Sequence, residues 1–161
     1  RKTFFNEHGL GPEDPLPGFR QKIGNALLKP HLNYSSFLRK ALPRFNKASR
    51  ASVRRGNAIF GAAHITGGGF TGNIPRVLPE GCGAVVNTNS WTPPPVFRAL
   101  TAHGRIPFDE AYEVFNMGIG LVLAVAPAKV DEIASCAADC GHKALPIGRV
   151  SRGNRSVTLE R

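Results

Sequence analysis

The chain has 161 residues, 42% apolar and 20% charged, with a formal net charge of +10 at pH 7. That length suits one domain, which buries roughly two-thirds of its unfolded surface and needs no covalent or metal staple to fold. No apolar run approaches a membrane span, and three cysteines, Cys82, Cys136 and Cys140, with no C-x-x-C argue against a disulfide framework and a structural zinc site. A reducing compartment, the cytoplasm, is the expectation.

In chain order, "RKTFFNEHGL" reads as the last turns of a helix begun upstream, with Phe4 and Phe5 apolar and Gly9 placed to cap it. Arg1 opens the chain without Met or a leader pattern, so a fragment or processed product is expected. "GPEDPLPGF" is a Pro/Gly turn segment, and "IGNALLKP" is a short apolar piece stopped by Pro30. From His31 to Leu42, the apolar residues Tyr34, Phe37, Leu38, Ala41 and Leu42 recur at spacings of three and four and predict a helix that Pro43 ends.

The charge is concentrated here. Residues 1–58 hold twelve Lys and Arg against three acids, and residues 59–161 hold nine against eight. The stretch 39–57 has seven cations and no acid. Such a cluster suits a polyanion, because neutralised phosphates release counterions. It lacks aromatic interleaving beyond Phe45 and any nucleic-acid motif, so a solvated basic loop at about 43–57 is preferred and nucleic acid is not the favoured partner.

"AIFGAAHI" predicts a strand running into three glycines. "NIPRVL" predicts a helix with Asn73 at its N-cap and Pro75 in its first turn. "GAVVNT" is a strand, "PPPVFRALTAHG" a helix ending at Gly104, and "DEAYEVFNMGIGLVLAVAP" a helix or turn that becomes a buried strand from Ile119. "KVDEIASCAADCG" is a helix capped by Gly141, in which Cys136 and Cys140 read as core packing. "ALPIGRV" and "SVTLER" close the chain as an antiparallel-looking pair of strands. Strands separated by helices give an α/β fold bordering on α+β, with a mixed β-sheet packed against helices.

The glycine run, "HITGGGFTGNIPR", lacks the lysine of a Walker A loop. Gly67, Gly69 and Gly72 match a dinucleotide-binding spacing, but no acid follows at the required distance. What remains is backbone chemistry: residues without a Cβ let successive amides converge on an anion. Thr66 adds a hydroxyl, and Arg76 adds a fork that fits phosphate. The competing reading is a tightly packed strand-to-helix turn. His64, with an unperturbed pKa near neutrality, is a weak candidate acid, base or hydrogen-bond donor, without a visible partner in the sequence. "FNMGIG" repeats the theme, with Asn116 beside Gly118 and Gly120 at the mouth of a strand; two such corners on neighbouring sheet edges would frame a polar cleft. Asp109, Glu110 and Glu113 read as a solvated helix start, and no cluster of acids holds magnesium by itself.

In combination, "AHITGGGF…NIPRVLPEG", "SWTPPPVF" and "FNMGIG" resemble phosphoribosylformylglycinamidine cyclo-ligases, also called aminoimidazole ribonucleotide synthetases, in order and in approximate spacing. The similarity runs from "RKTFF" through "DPLPG" and "IGNALLKP" to "IGRV". It implies the C-terminal domain of a two-domain, ATP-dependent purine-biosynthetic ligase that acts as a homodimer. The absent N-terminal domain would supply most of the ATP and magnesium apparatus, and the chain alone would be inactive. By this resemblance His64, Thr66, Gly67, Gly68, Gly69 and Asn73 contact formylglycinamidine ribonucleotide or a phosphate, with Asn116 and Gly118 second; no catalytic residue is assigned. Formylglycinamidine synthase, selenophosphate synthetase and thiamine-monophosphate kinase share similar glycine loops and stand as the nearer alternatives. The chain departs from the family at Pro30-His31-Leu32, where Pro-Thr-Arg is usual, and at Gly72, where an acid is common.

Overall fold

A computed structural model describes residues 2–46 and 56–161. The middle of the basic segment, 47–55, lies outside the described residues. A π-helical turn at Lys2–Glu7 precedes α1 (Ile23–Leu27) and α2 (Ser35–Phe45). Strand β1 (Ile59–His64) leads into α3 (Gly69–Asn73) and a 3-10 turn, Ile74–Val77. Then come β2 (Cys82–Asn87), α4 (Pro95–His103), α5 (Phe108–Val114), β3 (Leu121–Val125), α6 (Val130–Ala138), β4 (Gly148–Arg152) and β5 (Val157–Glu160).

The strands form two sheets. β1 and β3 pair antiparallel, with His64 opposite Leu121. The second sheet is mixed, in the order β4-β2-β5, with β4 antiparallel and β5 parallel to β2. The fold is therefore α+β with a mixed sheet. The final two strands do not pair with each other as the sequence suggested; they straddle β2. The connection between them passes over the start of β2, where Gly153 N donates to Gly81 O and Arg155 N to Cys82 O. A two-residue pairing pattern read from a single segment cannot reveal a third strand inserted between its halves.

Three apolar clusters hold these elements. One joins β1, α3, β2 and α5 through Ile65, Phe70, Ile74, Val86 and Tyr112. A second packs Phe37, Ala41 and Phe45 of α2 against Ile133, Cys136 and Ala137 of α6 over β1. The third seats Phe4, Leu16 and Ile23 on Ala99 of α4. Cys136 is wholly buried, in agreement with its reading as core, and all three cysteines are free.

Two helix boundaries differ from expectation. α2 starts at Ser35, after Asn33 Oδ1 accepts from Ser35 N, and runs through Pro43 to Phe45. Pro43 lies in the last turns, and burial of Phe45 holds the helix beyond it. Leu42, assigned to the buried face, is 41% exposed. Asn46 then closes the base of the basic loop: its Nδ2 donates to Ile59 O, and its Oδ1 accepts from Ile59 N and Ala58 N. The helix expected over "NIPRVL" is the 3-10 turn Ile74–Val77, with Asn73 at its N-cap position and Pro75 in its first turn, although no side chain caps it; the short helix Gly69–Asn73 precedes it unexpectedly, with Gly68, left-handed at φ +91°, at its N-cap. β3 is half-buried along its length rather than fully buried, as suits a two-stranded sheet.

Candidate functional site

The site is built where β1 ends. One further rung, Ile65 N to Gly120 O, extends the β1–β3 ladder beyond His64. The chain then turns through a Gly69 N to Thr66 O bond, with Gly68 and Gly69 both at positive φ. A Cβ on Gly69 would run into the Tyr112 carbonyl oxygen and lie 2.7 Å from the Glu113 carbonyl group, so this glycine lets the loop rest against the end of α5. Gly67 has open space around it. The packed-turn reading therefore holds for Gly69, and close ligand approach remains open at Gly67.

Asn73 is 4% exposed and works in the opposite sense to a cap. Its Nδ2 donates to the carbonyl oxygens of Gly69 (2.8 Å), Gly67 (3.2 Å) and Thr66 (3.4 Å). One amide group thus draws three loop carbonyls inward. Among the described residues, the backbone amides of Thr66, Gly67 and Gly68 donate to no protein acceptor. Carbonyls turned in and amides left free give the loop a partial positive outer face.

Beside this loop lies a cavity of about 250 Å³ lined by Ala62, Ala63, His64, Thr66, Asn73, Arg76 and Val77. His64, Thr66 and Arg76 are exposed to solvent, Arg76 arriving on the 3-10 turn that follows α3. Four residues singled out from sequence, His64, Thr66, Asn73 and Arg76, therefore stand in one wall, with the glycines adjoining them. Ala62 and Val77 carried no chemical signal, although Ala62 shares the alternating strand face of His64. A larger cavity of about 390 Å³, under α4 and α5, is mainly apolar, with Arg98 as its charged lining residue. The smaller cavity is the better candidate because polar and cationic groups converge on it.

The second corner is built differently. Asn116 Oδ1 accepts from Gly118 N at 2.9 Å, and Trp91 Nε1 donates to the Met117 carbonyl at 3.0 Å. Gly118, at φ +96°, lies so close to Pro94 that a Cβ would strike the proline ring. "SWTPPPVF" and "FNMGIG" are thus two halves of one packed turn. Neither Asn116 nor Gly118 lines the 250 Å³ cavity; both follow α5, against which Gly69 packs. Asp109, Glu110 and Glu113 are exposed, as expected of a solvated helix start. Among the described residues, no group of three or more His, Cys, Asp and Glu is arranged to hold a metal ion. No helix among them is long and apolar enough to cross a membrane.

Burial raises the pKa of both tyrosine phenols. For Tyr34 desolvation is the cause; for Tyr112 desolvation outweighs a hydrogen bond with Thr88 that acts in the other direction.

Comparison of the sequence with known proteins matches the chain to a family. The phosphoribosylformylglycinamidine cyclo-ligase of Geotalea uraniireducens is 38% identical over 94% of this chain and 40% of its own length. Those of Geobacter metallireducens and Trichlorobacter lovleyi are each 38% identical, over 99% and 98% of this chain and 43% and 42% of their own lengths. The chain thus spans about two-fifths of the curated relatives it matches. The family model described as "AIR synthase related protein, C-terminal domain" matches residues 22–159. With that match covering most of the chain, this protein belongs to the AIR synthase related family and corresponds to its C-terminal domain.

Proposed function

We propose that the chain forms the substrate-side domain of an ATP-dependent cyclo-ligase that closes formylglycinamidine ribonucleotide to aminoimidazole ribonucleotide in purine biosynthesis. The observation that carries this reading is the convergence of His64, Thr66 and Arg76 on one cavity beside a loop whose amides lack protein acceptors. That combination suits a phosphorylated, hydrogen-bonding ligand. Arg76 offers two parallel donors to phosphate oxygens, and the Thr66, Gly67 and Gly68 amides add neutral donors without rearrangement. Asn73 keeps those amides turned outward. His64, at the strand end, supplies an imidazole whose two ring nitrogens can donate or accept a hydrogen bond. Gly69, Asn116 and Gly118 act by shaping the two corners that hold these donors in place.

ATP, when bound, supplies the phosphoryl group that activates the formyl oxygen. The phosphate-binding character of the loop fits one of the two phosphorylated ligands. Residues 1–161 are read as most of the C-terminal domain. The further length of the relatives leaves room for the ATP- and magnesium-binding domain, and for the contacts of a cytoplasmic homodimer.

The test joins this chain to its N-terminal counterpart and measures ADP and phosphate release with formylglycinamidine ribonucleotide. Turnover is expected, and Arg76→Ala is expected to raise KM for the phosphorylated ligand about tenfold or more. No turnover by the complete protein would overturn the reading.

A further inference from the structure

Beside the cavity stands a cluster of rings that phosphate binding does not use. Among the described residues, His64 makes no hydrogen bond through its side chain. What touches its ring is His31, with centroids 5.0 Å apart and planes at 85°, and Tyr34, at 6.3 Å and 74°. Both come from the segment that leads into α2. His31 is itself held: its Nδ1 lies 3.0 Å from the Leu32 carbonyl oxygen. A carbonyl only accepts, so Nδ1 carries the proton and Nε2 is the free nitrogen of the neutral ring.

Tyr34 is backed from the interior. Its ring lies 5.3 Å from that of His142, which rests in turn 6.3 Å from Phe37. Both His142 ring nitrogens are buried without a hydrogen-bond partner, and its ring meets that of Tyr34 at a tilt of 41°. On the strand side, Gly120 makes the room. A Cβ there would run into the Tyr34 hydroxyl and lie 2.9 Å from His31 Nε2. Segments from the α2 entry, the end of β1, the residue before β3 and the turn after α6 therefore meet in one ring cluster, edge-to-face between His31, Tyr34 and His64, that terminates on His64.

We propose that His31 is a positioning residue for His64, fixing the rotamer of its imidazole over the cavity by ring contact in place of a hydrogen bond. The role of that rotamer in turnover rests on the reading above, in which His64 faces the ligand. A solvent-facing histidine at a strand end has several staggered side-chain wells available. Edge-to-face contact with His31, buttressed by Tyr34, selects one of them. A group that must meet a ligand atom within hydrogen-bond reach loses rate steeply when it is misplaced by about 1 Å.

The test has two arms. By NMR on the 161-residue chain, His64 ring protons should show cross-relaxation to Tyr34. His31→Ala should abolish it and move the His64 ring shifts towards those of free histidine, while His31→Phe, which keeps a ring, should preserve it. The second arm uses the complete enzyme. There His31→Ala should lower kcat by roughly ten- to a hundredfold, and His31→Phe should restore most of that loss. The effect of His31→Ala should vanish in a His64→Ala background. Unchanged His64 shifts and contacts in His31→Ala would overturn the proposal, as would a full loss that persists without His64. If His64→Ala alone leaves turnover intact, the ligand reading of His64 falls, and the spectra still decide the positioning role.

Discussion

The side chain of Asn73 faces three carbonyl oxygens, and its loss would leave the Gly69 oxygen, which is buried, and the Thr66 and Gly67 oxygens, both part-buried, without this donor. Asn73→Ala should destabilise the fold by about 1–3 kcal/mol, seen as a lower urea midpoint with an unchanged slope. Asn73→Asp should do worse, because it sets a carboxylate against oxygens. The glycines divide by the same reasoning. Gly69→Ala meets the Tyr112 carbonyl at positive φ and should cost at least about 2 kcal/mol. Gly67→Ala enters open space and should leave the urea midpoint nearly unchanged; if the proposed ligand approaches there, it should weaken that ligand's affinity in the chain joined to its N-terminal counterpart. Equal destabilisation by both substitutions would contradict this division. From sequence, these positions were legible as a special corner because only glycine and an amide suit it. Which glycine packs and which stays open depended on where the end of α5 arrives, and α5 is about forty residues away in the chain.

At the level of elements, the most demanding contact is the crossing of β4 and β5 around β2. Gly148 begins β4 so close to Val85 of β2 that a Cβ would overlap the Val85 carbonyl oxygen. Gly148→Ala should therefore loosen the β4–β2 ladder and destabilise the protein by about 1–3 kcal/mol. Native-state hydrogen exchange should show the earliest loss of protection in Arg149–Arg152. Protection unchanged there would show that β4 shifts at no cost. Strand and helix identities were legible from periodicity, as β1, β2, α4 and α6 demonstrate. The partnership of β4 with β2, and the continuation of α2 through Pro43, were not. Pairing and burial involve residues that no local window contains, and they outweigh local breaker signals.

Across the whole molecule, the two tyrosines give a clean report on burial. Tyr34 and Tyr112 are the only tyrosines in the chain, and burial raises both phenols above the ordinary value of about 10. The raised value favours the neutral form in the folded protein. Its contribution to stability is fully present below pH about 10 and is lost as pH rises through the folded values. Phenolate absorbance should accordingly titrate above pH 10 in the native protein and return to about 10 in urea, and Tyr34→Phe should remove part of the native absorbance change. A native midpoint equal to that in urea would refute the burial of both rings.

By itself, the sequence determined the alternation of helices and strands, the basic first third, the glycine corner and the family it resembles. Each of these is written in neighbouring residues, through spacing, charge or the absence of a side chain. The tertiary structure decided that Asn73, at the N-cap position of the turn that follows it, spends its side chain on clamping the loop, that the Asn116 corner packs on Trp91 and Pro94, and that His31 and Tyr34 reach His64. Those outcomes depend on which distant groups come within a few ångströms, and short-range packing and hydrogen bonding take effect only once the chain has brought them together.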